Sequence, residues 1–564
     1  ITHVHKYWWS LFENVGIYYD TAEQFDGPIV VDEFGGNYLD GDCNPGSYPT
    51  LAESFLRFLG KNHSKELRLE LHTEANAAIA EYWRRLGAAG FSPFCALGSR
   101  DDGNHHFLGP LKYASPKPVW DALTAAYAPV SVSLEIWDRN FNCGQKADAT
   151  LYLYNETDKT VEISCELYVS DEYTTKRHGP GNTVTHSLLP YERHKIPVSF
   201  VLPSASGTWR LNARMLKQPQ GIEHTILSSW RVRTIKPIVP ERLYGKKVFV
   251  ADDDKELLAF LRENQIQLAN DLKGGDLIIG SGLLLEKMQS DEALKKKLEE
   301  EMECGKSMVL TNIGPQNLGQ GYLENGVLGP LQGGMKVTEP EIKAFELIAG
   351  VKVIFKELPE PESCQHPAEY GAALWNNLDR QSAWLWNGYR GGLNAPASDM
   401  FIDGLSREAF IELWRRRGAD CNKIRNGNYY GYELAGFYAF SDGYSKEAEL
   451  DLRKKVTFLI EDAPALQNSV NPKGKIHVWN LSDGFGNAIN GKAELIRPLA
   501  CCGKGLSRSS VVEISFGRDK GKVILSQLLT KHRLCRDFAQ EGLYGARYDP
   551  SAVQMMLNMM AALL

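Results

Sequence analysis

Two rhythms of apolar and polar positions run along this chain. Pro28–Asp32 is a short apolar run, predicted as a buried strand. Ser64–Ala88 places Leu67, Leu71, Ala75, Ala78, Ile79 and Tyr82 mostly three and four apart, which predicts a long helix with one apolar face. Gly87 and Gly90 punctuate its end, and Phe91–Leu97 reads as a second buried strand. Strand, long helix and strand predict a βαβ unit with parallel strands. Trp8–Thr21 adds an amphipathic stretch. About two such units fit into residues 1–127, too few to close a barrel or cover a sheet.

Over residues 128–236 the rhythm shortens to alternation. Val130–Trp137, Ala147–Tyr154, Thr160–Ser170, Val184–Leu189, His194–Leu202 and Ser206–Arg214 read as strands, separated by turns such as Gly179-Pro180-Gly181. Regular short strands with turn signals predict an immunoglobulin-like β-sandwich. Beyond the Pro-containing link Ile235–Pro240, residues 241–564 return to mixed elements. Lys247–Ala251, Asp276–Gly280 and Ser307–Thr311 read as strands, and Lys255–Asn264 and Asp291–Cys304 as helices. Lys475–Asn480, Val511–Phe516 and Lys522–Gln527 continue the strands, and Asp549–Leu564 is a helix with Pro550 at its start. This predicts a doubly wound α/β domain. An aromatic-rich stretch from about 366 to 466, with Trp384, Trp386, Trp414 and Tyr429–Tyr432, reads as an insertion in it.

A length of 564 residues agrees with three or so domains. The net charge of -7 argues against nucleic acid as the partner, which needs a basic footprint. The apolar runs Leu434–Phe440 and Met559–Leu564 fall far short of the ~20 residues of a membrane span. None of the ten cysteines forms a Cys-x-x-Cys pair, so no zinc or redox motif is expected. His3 and His5 share a strand face but lack a third ligand, and no metal site or cofactor is expected there. The opening Ile1-Thr2-His3-Val4-His5-Lys6 has neither Met nor an apolar targeting core, which predicts processing or an upstream portion.

The sharpest local feature is Ile29-Val30-Val31-Asp32-Glu33-Phe34-Gly35-Gly36-Asn37, an apolar strand ending in carboxylates and glycines. In a parallel α/β barrel the C-terminal strand ends face the active site, and glycine there allows a sharp turn beside a ligand. Glu33 on this pattern either presents a carboxylate to a cleft or forms a surface pair with a nearby Lys or Arg.

Pro28–Asn37, Tyr38-Leu39-Asp40-Gly41, Phe91-Ser92-Pro93-Phe94 and Ser99-Arg100-Asp101-Asp102-Gly103-Asn104 together resemble the last third of a glycoside hydrolase family 2 barrel. That family includes β-galactosidases, β-glucuronidases and β-mannosidases. Lys117–Leu123 and Leu134–Phe141 look like its exit into a β-sandwich. The resemblance spans roughly residues 1–236. It implies retaining exo-β-glycoside hydrolysis of β-galactosidase-like type, with a carbohydrate as substrate and Glu33 as nucleophile at the end of the seventh barrel strand. Asn37, Tyr38 and Asp40 would hydrogen-bond sugar hydroxyls, and Trp8 or Trp9 would stack on a pyranose face. The family's acid/base glutamate follows an Asn near the fourth strand, which this chain does not contain, so it is expected outside the chain. Asn155-Glu156 supplies the dipeptide, but at the end of a sandwich strand. A noncatalytic scaffold or carbohydrate-binding subunit is the contrasting reading.

Residues 241–564 resemble the class I glutamine amidotransferase-like domain appended to some such hydrolases. An active amidotransferase places Cys on the turn after a strand; here Ser307–Thr311 is followed by Asn312-Ile313-Gly314. The resemblance implies a structural role and a homo-oligomer.

Overall fold

The computed structural model describes residues 2–7, 27–45, 55–56, 58–60, 63–98, 105–172, 174, 176–218, 225–313, 342–357, 365–368, 370–378, 387, 398–403, 431–433, 495–502, 508–540 and 545–564. The chain is mixed α/β, dominated by several sheets with few helices among the described residues. It divides into two compact units. The first comprises Ile1–Pro237 with Leu385–Gly392 and Glu541–Ser551, and the second comprises Ile238–Trp384, Leu393–Gln540 and Ala552–Leu564.

In the first unit, β1 (Thr2–Tyr7), β2 (Ile29–Gly35) and β3 (Gly90–Pro93) form a parallel sheet in that order. Helix α1 (Lys65–Leu86) links β2 to β3, as the periodicity predicts. Ser64 starts it by accepting the Leu67 amide at 3.2 Å. Gly87 ends it in the left-handed region at φ 85°, its amide donating to Arg84 while Ala88 donates to Trp83. Leu71, Ala75, Ile79, Tyr82 and Trp83 are buried along one side. Strand β3 stops at Pro93, short of the Leu97 expected.

After α2 (Pro118–Tyr127) come two mainly antiparallel sheets. The strands are β4 (Val130–Glu135), β5 (Asn140–Asn142), β6 (Lys146–Asn155), β7 (Val161–Asp171), β8 (Arg177–Leu188), β9 (Arg193–Val201), β10 (Gly207–Met215) and β11 (Leu227–Ile235). One sheet has the order β8-β7-β10-β11-β5 and the other β9-β6-β4, with β5 parallel to β11. Alternate residues are buried, as at Ile163, Cys165, Leu167 and Val169 on β7. The six strands expected here are present; β5 and β11 carried too little alternation to be read. Helix α1 docks on this pair of sheets through buried charge. Glu81 accepts from Ser133 at 2.6 Å and from Ser228 at 2.7 Å, and Arg85 donates to Ser133 at 2.7 Å. Burial pushes the Glu81 carboxyl upward against the pull of Arg85.

Two distant segments finish the unit. Asn387 accepts from the amides of Arg139 and Asn140 at 2.7 and 2.8 Å and donates to the Asn140 carbonyl at 2.6 Å. Asp549 accepts from the Asn387 amide at 2.7 Å and from the Asn140 side chain at 3.0 Å.

The second unit holds an eight-stranded sheet. Its labelled strands are β12 (Lys247–Val250), β13 (Leu277–Ser281), β14 (Ser307–Thr311), β19 (Leu495–Cys502), β20 (Arg508–Ser515) and β21 (Lys522–Ser526). They lie in the order β12-β13-β14-β21-β20-β19, with Gln267–Leu268 and His366–Pro367 on the two edges. Helices α3 (Lys255–Glu263), α4 (Gly282–Ser290) and α5 (Glu292–Glu303) follow the first strands, and α6 (Pro550–Ala562) ends the chain. The first four strands are parallel; β20 and β19 run antiparallel. Residues 516–521 are too few for the crossover that parallel pairing of β20 and β21 would need, so the pair closes as a hairpin. Helix α4 was not anticipated, because its run of leucines directly follows the strand; Ser281 caps it by accepting the Leu283 amide. Ile278, Leu310, Val512 and Leu525 meet Leu284, Leu298 and Met302 in the core. A separate antiparallel sheet joins β15 (Ile342–Glu346), β16 (Lys352–Glu357), β17 (Ser398–Asp403) and β18 (Gly431–Glu433). Thus His366–Pro367, at the start of the expected insertion, belongs to the large sheet, and β17 and β18 pair with strands that precede it. Lys475–Asn480 lies outside the described residues.

Candidate functional site

The strand that carries Glu33 breaks its own alternation. Val31 and Phe34 are both fully buried although three residues apart, a spacing that a regular strand assigns to opposite faces. Two register shifts resolve this. Val4 and His5 of β1 pair with Val31 and Glu33, passing over Asp32, and on the other side Phe91 and Pro93 pair with Val31 and Phe34. The extra residue is a bulge, a device that re-aims side chains at a strand end. Asp32 turns to His3, with Oδ2 3.3 Å from Nδ1. Glu33 is half-buried, and its charge joins burial in pushing the nearby Cys95 thiol upward.

Gly35 follows at φ 128°. A Cβ there would lie 3.1 Å from Oδ1 of Asn76 on α1 and 3.3 Å from the Phe94 carbonyl, so the helix and the turn after β3 close directly on the strand end. The Phe94 amide donates to the Phe34 carbonyl at 2.8 Å, and the Phe94 ring lies 5.9 Å from that of Tyr38.

The chain leaving β2 folds inward. Asn37 is fully buried in the left-handed region at φ 54°, and Tyr38 is also buried. Asp40 holds its own loop: Oδ1 accepts the amides of Asp42 and Asn44 at 2.9 and 2.8 Å. Gly41 meets Gly109 so closely that a Cβ would lie 2.7 Å from the Gly109 carbonyl. Underneath, Lys117, 1% exposed, donates from Nζ to the carbonyls of Leu39 and His105 at 2.9 and 2.5 Å. Burial lowers this ammonium to about 8. His72 and His106, also about 1% exposed, set their rings edge to face at 5.6 Å. Burial, with the Lys117 charge adding to it, pulls His106 down to about 4 and His72 well below its ordinary value. Both rings are therefore neutral near pH 7.

Of the residues expected at the site, Glu33, Asn37, Tyr38 and Asp40 lie along one bulged strand end and its loop, but Asn37 and Tyr38 face the interior and Asp40 serves the loop. Trp8 and Trp9 lie outside the described residues. His105 and His106, in the segment before α2, are buried. Lys117 and His72 were missed, because neither a Lys before proline nor a His in a helix signals burial. Glu156 lies 2.9 Å from the Arg84 guanidinium in the last turn of α1. That turn adjoins the start of β2, where the Ala89 amide donates to the Ile29 carbonyl at 2.8 Å. Glu156 thus belongs to the opposite end of the strand from Glu33. Chemically, the strand end offers one carboxylate on a backbone locked from three sides, able to attack an electrophilic carbon or accept a proton.

No family model matches the chain, and no curated protein matches it. Among solved structures, the CARDB domain of a Pyrococcus furiosus protein is similar at 16% identity, over 19% of this chain and 94% of that one, with a TM-score of 0.16. A family 123 glycoside hydrolase from Clostridium perfringens matches at 8% identity over 27% of this chain and 38% of its own, TM-score 0.16. A β-glucosidase from Listeria innocua matches at 10% identity over 25% and 19%, TM-score 0.16. Scores this low assign neither a fold nor an activity. No helix among the described residues is long and apolar enough to cross a membrane.

Proposed function

We propose that this chain is the nucleophile-bearing part of a retaining exo-β-glycosidase of β-galactosidase-like type, with Glu33 forming the covalent glycosyl-enzyme intermediate. One observation carries the reading: the bulge at Asp32 separates two adjacent carboxylates, one toward His3 and the other at the half-buried end of a parallel strand. Retaining hydrolysis needs a second carboxyl group ~5–5.5 Å from the nucleophile to protonate the leaving oxygen. Its source in this reading is a fourth barrel strand outside the chain. In the same reading β1, β2 and β3 are the last strands of a (β/α)8 barrel, residues 128–236 an immunoglobulin-like sandwich, and residues 241–564 an amidotransferase-like domain. Asn312, at φ 51° after β14, stands in this reading where the amidotransferase would carry Cys, which makes the domain structural; a role in assembling a homo-oligomer rests on the resemblance.

The missing acid dictates the test. A 2,4-dinitrophenyl leaving group departs without a proton, so glycosylation of Glu33 does not require the partner carboxyl. Incubation of the chain with 2-deoxy-2-fluoro dinitrophenyl β-galactoside, β-glucuronide and β-mannoside, followed by peptide mass mapping, should show one sugar on the peptide containing Glu33. Glu33→Gln should abolish it. Labelling of a different residue, or labelling that survives in Glu33→Gln, refutes the assignment. A second reading, a noncatalytic scaffold, draws on the inward-facing Asn37 and Tyr38, which leave the strand end without the polar contacts a sugar would need; it predicts no adduct from any of the three.

A further inference from the structure

The free edges of the two antiparallel sheets carry a second constellation of side chains. Strand β8 is the edge of the five-stranded sheet and β9 the edge of the three-stranded one, and residues 189–192 carry the chain from one edge to the other. His186 stands near the end of β8 and His194 near the start of β9. Their imidazole rings stack at 4.0 Å with 13° between planes. Glu192, on the connection, puts Oε1 3.9 Å from Nδ1 of His194, while its Oε2 accepts the Leu189 amide at 2.7 Å. One ligand atom from each of the three lies within 4.8 Å of the others.

We propose that His186, Glu192 and His194 form a binding site for a divalent late transition-metal ion, of which Zn²⁺ is the probe of choice. Two imidazoles and one carboxylate suit zinc, nickel or copper, whereas magnesium and calcium prefer all-oxygen sets. Bonds of about 2.0–2.2 Å bring such ligands close together around the ion, so the three groups need only short movements. The rings must turn from parallel so that their lone pairs converge, and both imidazoles are half-exposed. The Leu189 amide holds one Glu192 oxygen and leaves the other toward His194, the kind of outer-shell support that orients a metal ligand. The solvent side of the site leaves a fourth position for water. Because the ligands come from two sheets, the ion clamps one edge to the other. This proposal is independent of the hydrolase reading.

The full chain, stripped with chelator, is titrated with Zn²⁺ alone against a chromophoric competitor. Wild type should bind one equivalent that the His186→Asn/His194→Asn double variant lacks, and Glu192→Gln, which loses the anionic ligand, should bind it more weakly than wild type. All three should share one Tm in chelator, and Zn²⁺ should raise the Tm of wild type most, of Glu192→Gln less and of the double variant not at all. Equal stoichiometry and affinity in wild type and the double variant overturn the proposal. Should the double variant not fold, diethyl pyrocarbonate labelling of wild type decides: Zn²⁺ protects His186 and His194 if they ligate it, and unchanged labelling of both overturns the site.

Discussion

Acid should loosen the packing around the loop that leaves β2. His106 has its pKa drawn from 6.5 to about 4, chiefly by burial, and His72 shifts the same way. Unfolded, both rings take up protons as the pH falls through about 6.5; folded, His106 does not until about 4. The folded state therefore binds fewer protons between these limits, and its stability falls as the pH drops. A shift of one unit corresponds to about 1.4 kcal/mol, so His106 alone removes about 2 kcal/mol between pH ~7 and ~5, and His72 adds to the loss. The assay is urea unfolding across this range, read by amide hydrogen exchange in α1 and residues 37–45 and corrected for intrinsic rates. His106→Gln, neutral throughout, should flatten the profile by about 2 kcal/mol. A wild-type profile with the same slope as His106→Gln would refute the reasoning, as would imidazole resonances of His72 and His106 titrating near 6.5.

Three further outcomes follow from contacts already described. Glu81→Ala removes the nearer of two carboxylates at the buried Arg85, Glu135 being the other, and the acceptor of the Ser133 and Ser228 hydroxyls; about 1–3 kcal/mol should be lost, measurable as a lowered urea midpoint. Gly35→Ala forces a Cβ against Asn76 and Phe94 at a φ that L-residues avoid, and should cost about 1–3 kcal/mol while reducing the rate of labelling at Glu33. Leu310→Ala, in the core of the second unit, should lower stability by about 2–5 kcal/mol without changing that labelling.

Elements whose signals are local were legible in the sequence. Ser64 and Gly87 announce the ends of α1, and its apolar spacing shows which face is buried. The valine run announces β2, and the glycines after Glu33 mark the strand end as unusual. The bulge was not legible, because alternation assigns faces on the assumption that no residue is skipped. Nor was the fate of Asn37, Tyr38 and Asp40, whose polar side chains look available in sequence but are buried, as at Asn37 and Tyr38, or accept the loop's own amides, as at Asp40. The Lys117 ammonium that binds the Leu39 carbonyl of this loop lies 78 positions away, and no local spacing encodes it. His186, Glu192 and His194 escaped notice for a similar reason: they meet only because two different sheets place their edges together. The antiparallel end of the large sheet could have been read from the shortness of residues 516–521.

Asn387 and Asp549 bear on how the molecule is made. The amides of Arg139 and Asn140 have as acceptor a side chain 247 positions further on in the case of Asn140, and Asp549 holds Asn387 in place. When residue 237 leaves the ribosome, these donors still lack their acceptor. At ~5–20 residues per second, synthesis of the roughly 300 residues that follow takes some tens of seconds. The unit that starts earlier in the chain is therefore among the last to be finished. A nascent chain must hold this corner open, within reach of water or a chaperone, until its two late segments arrive.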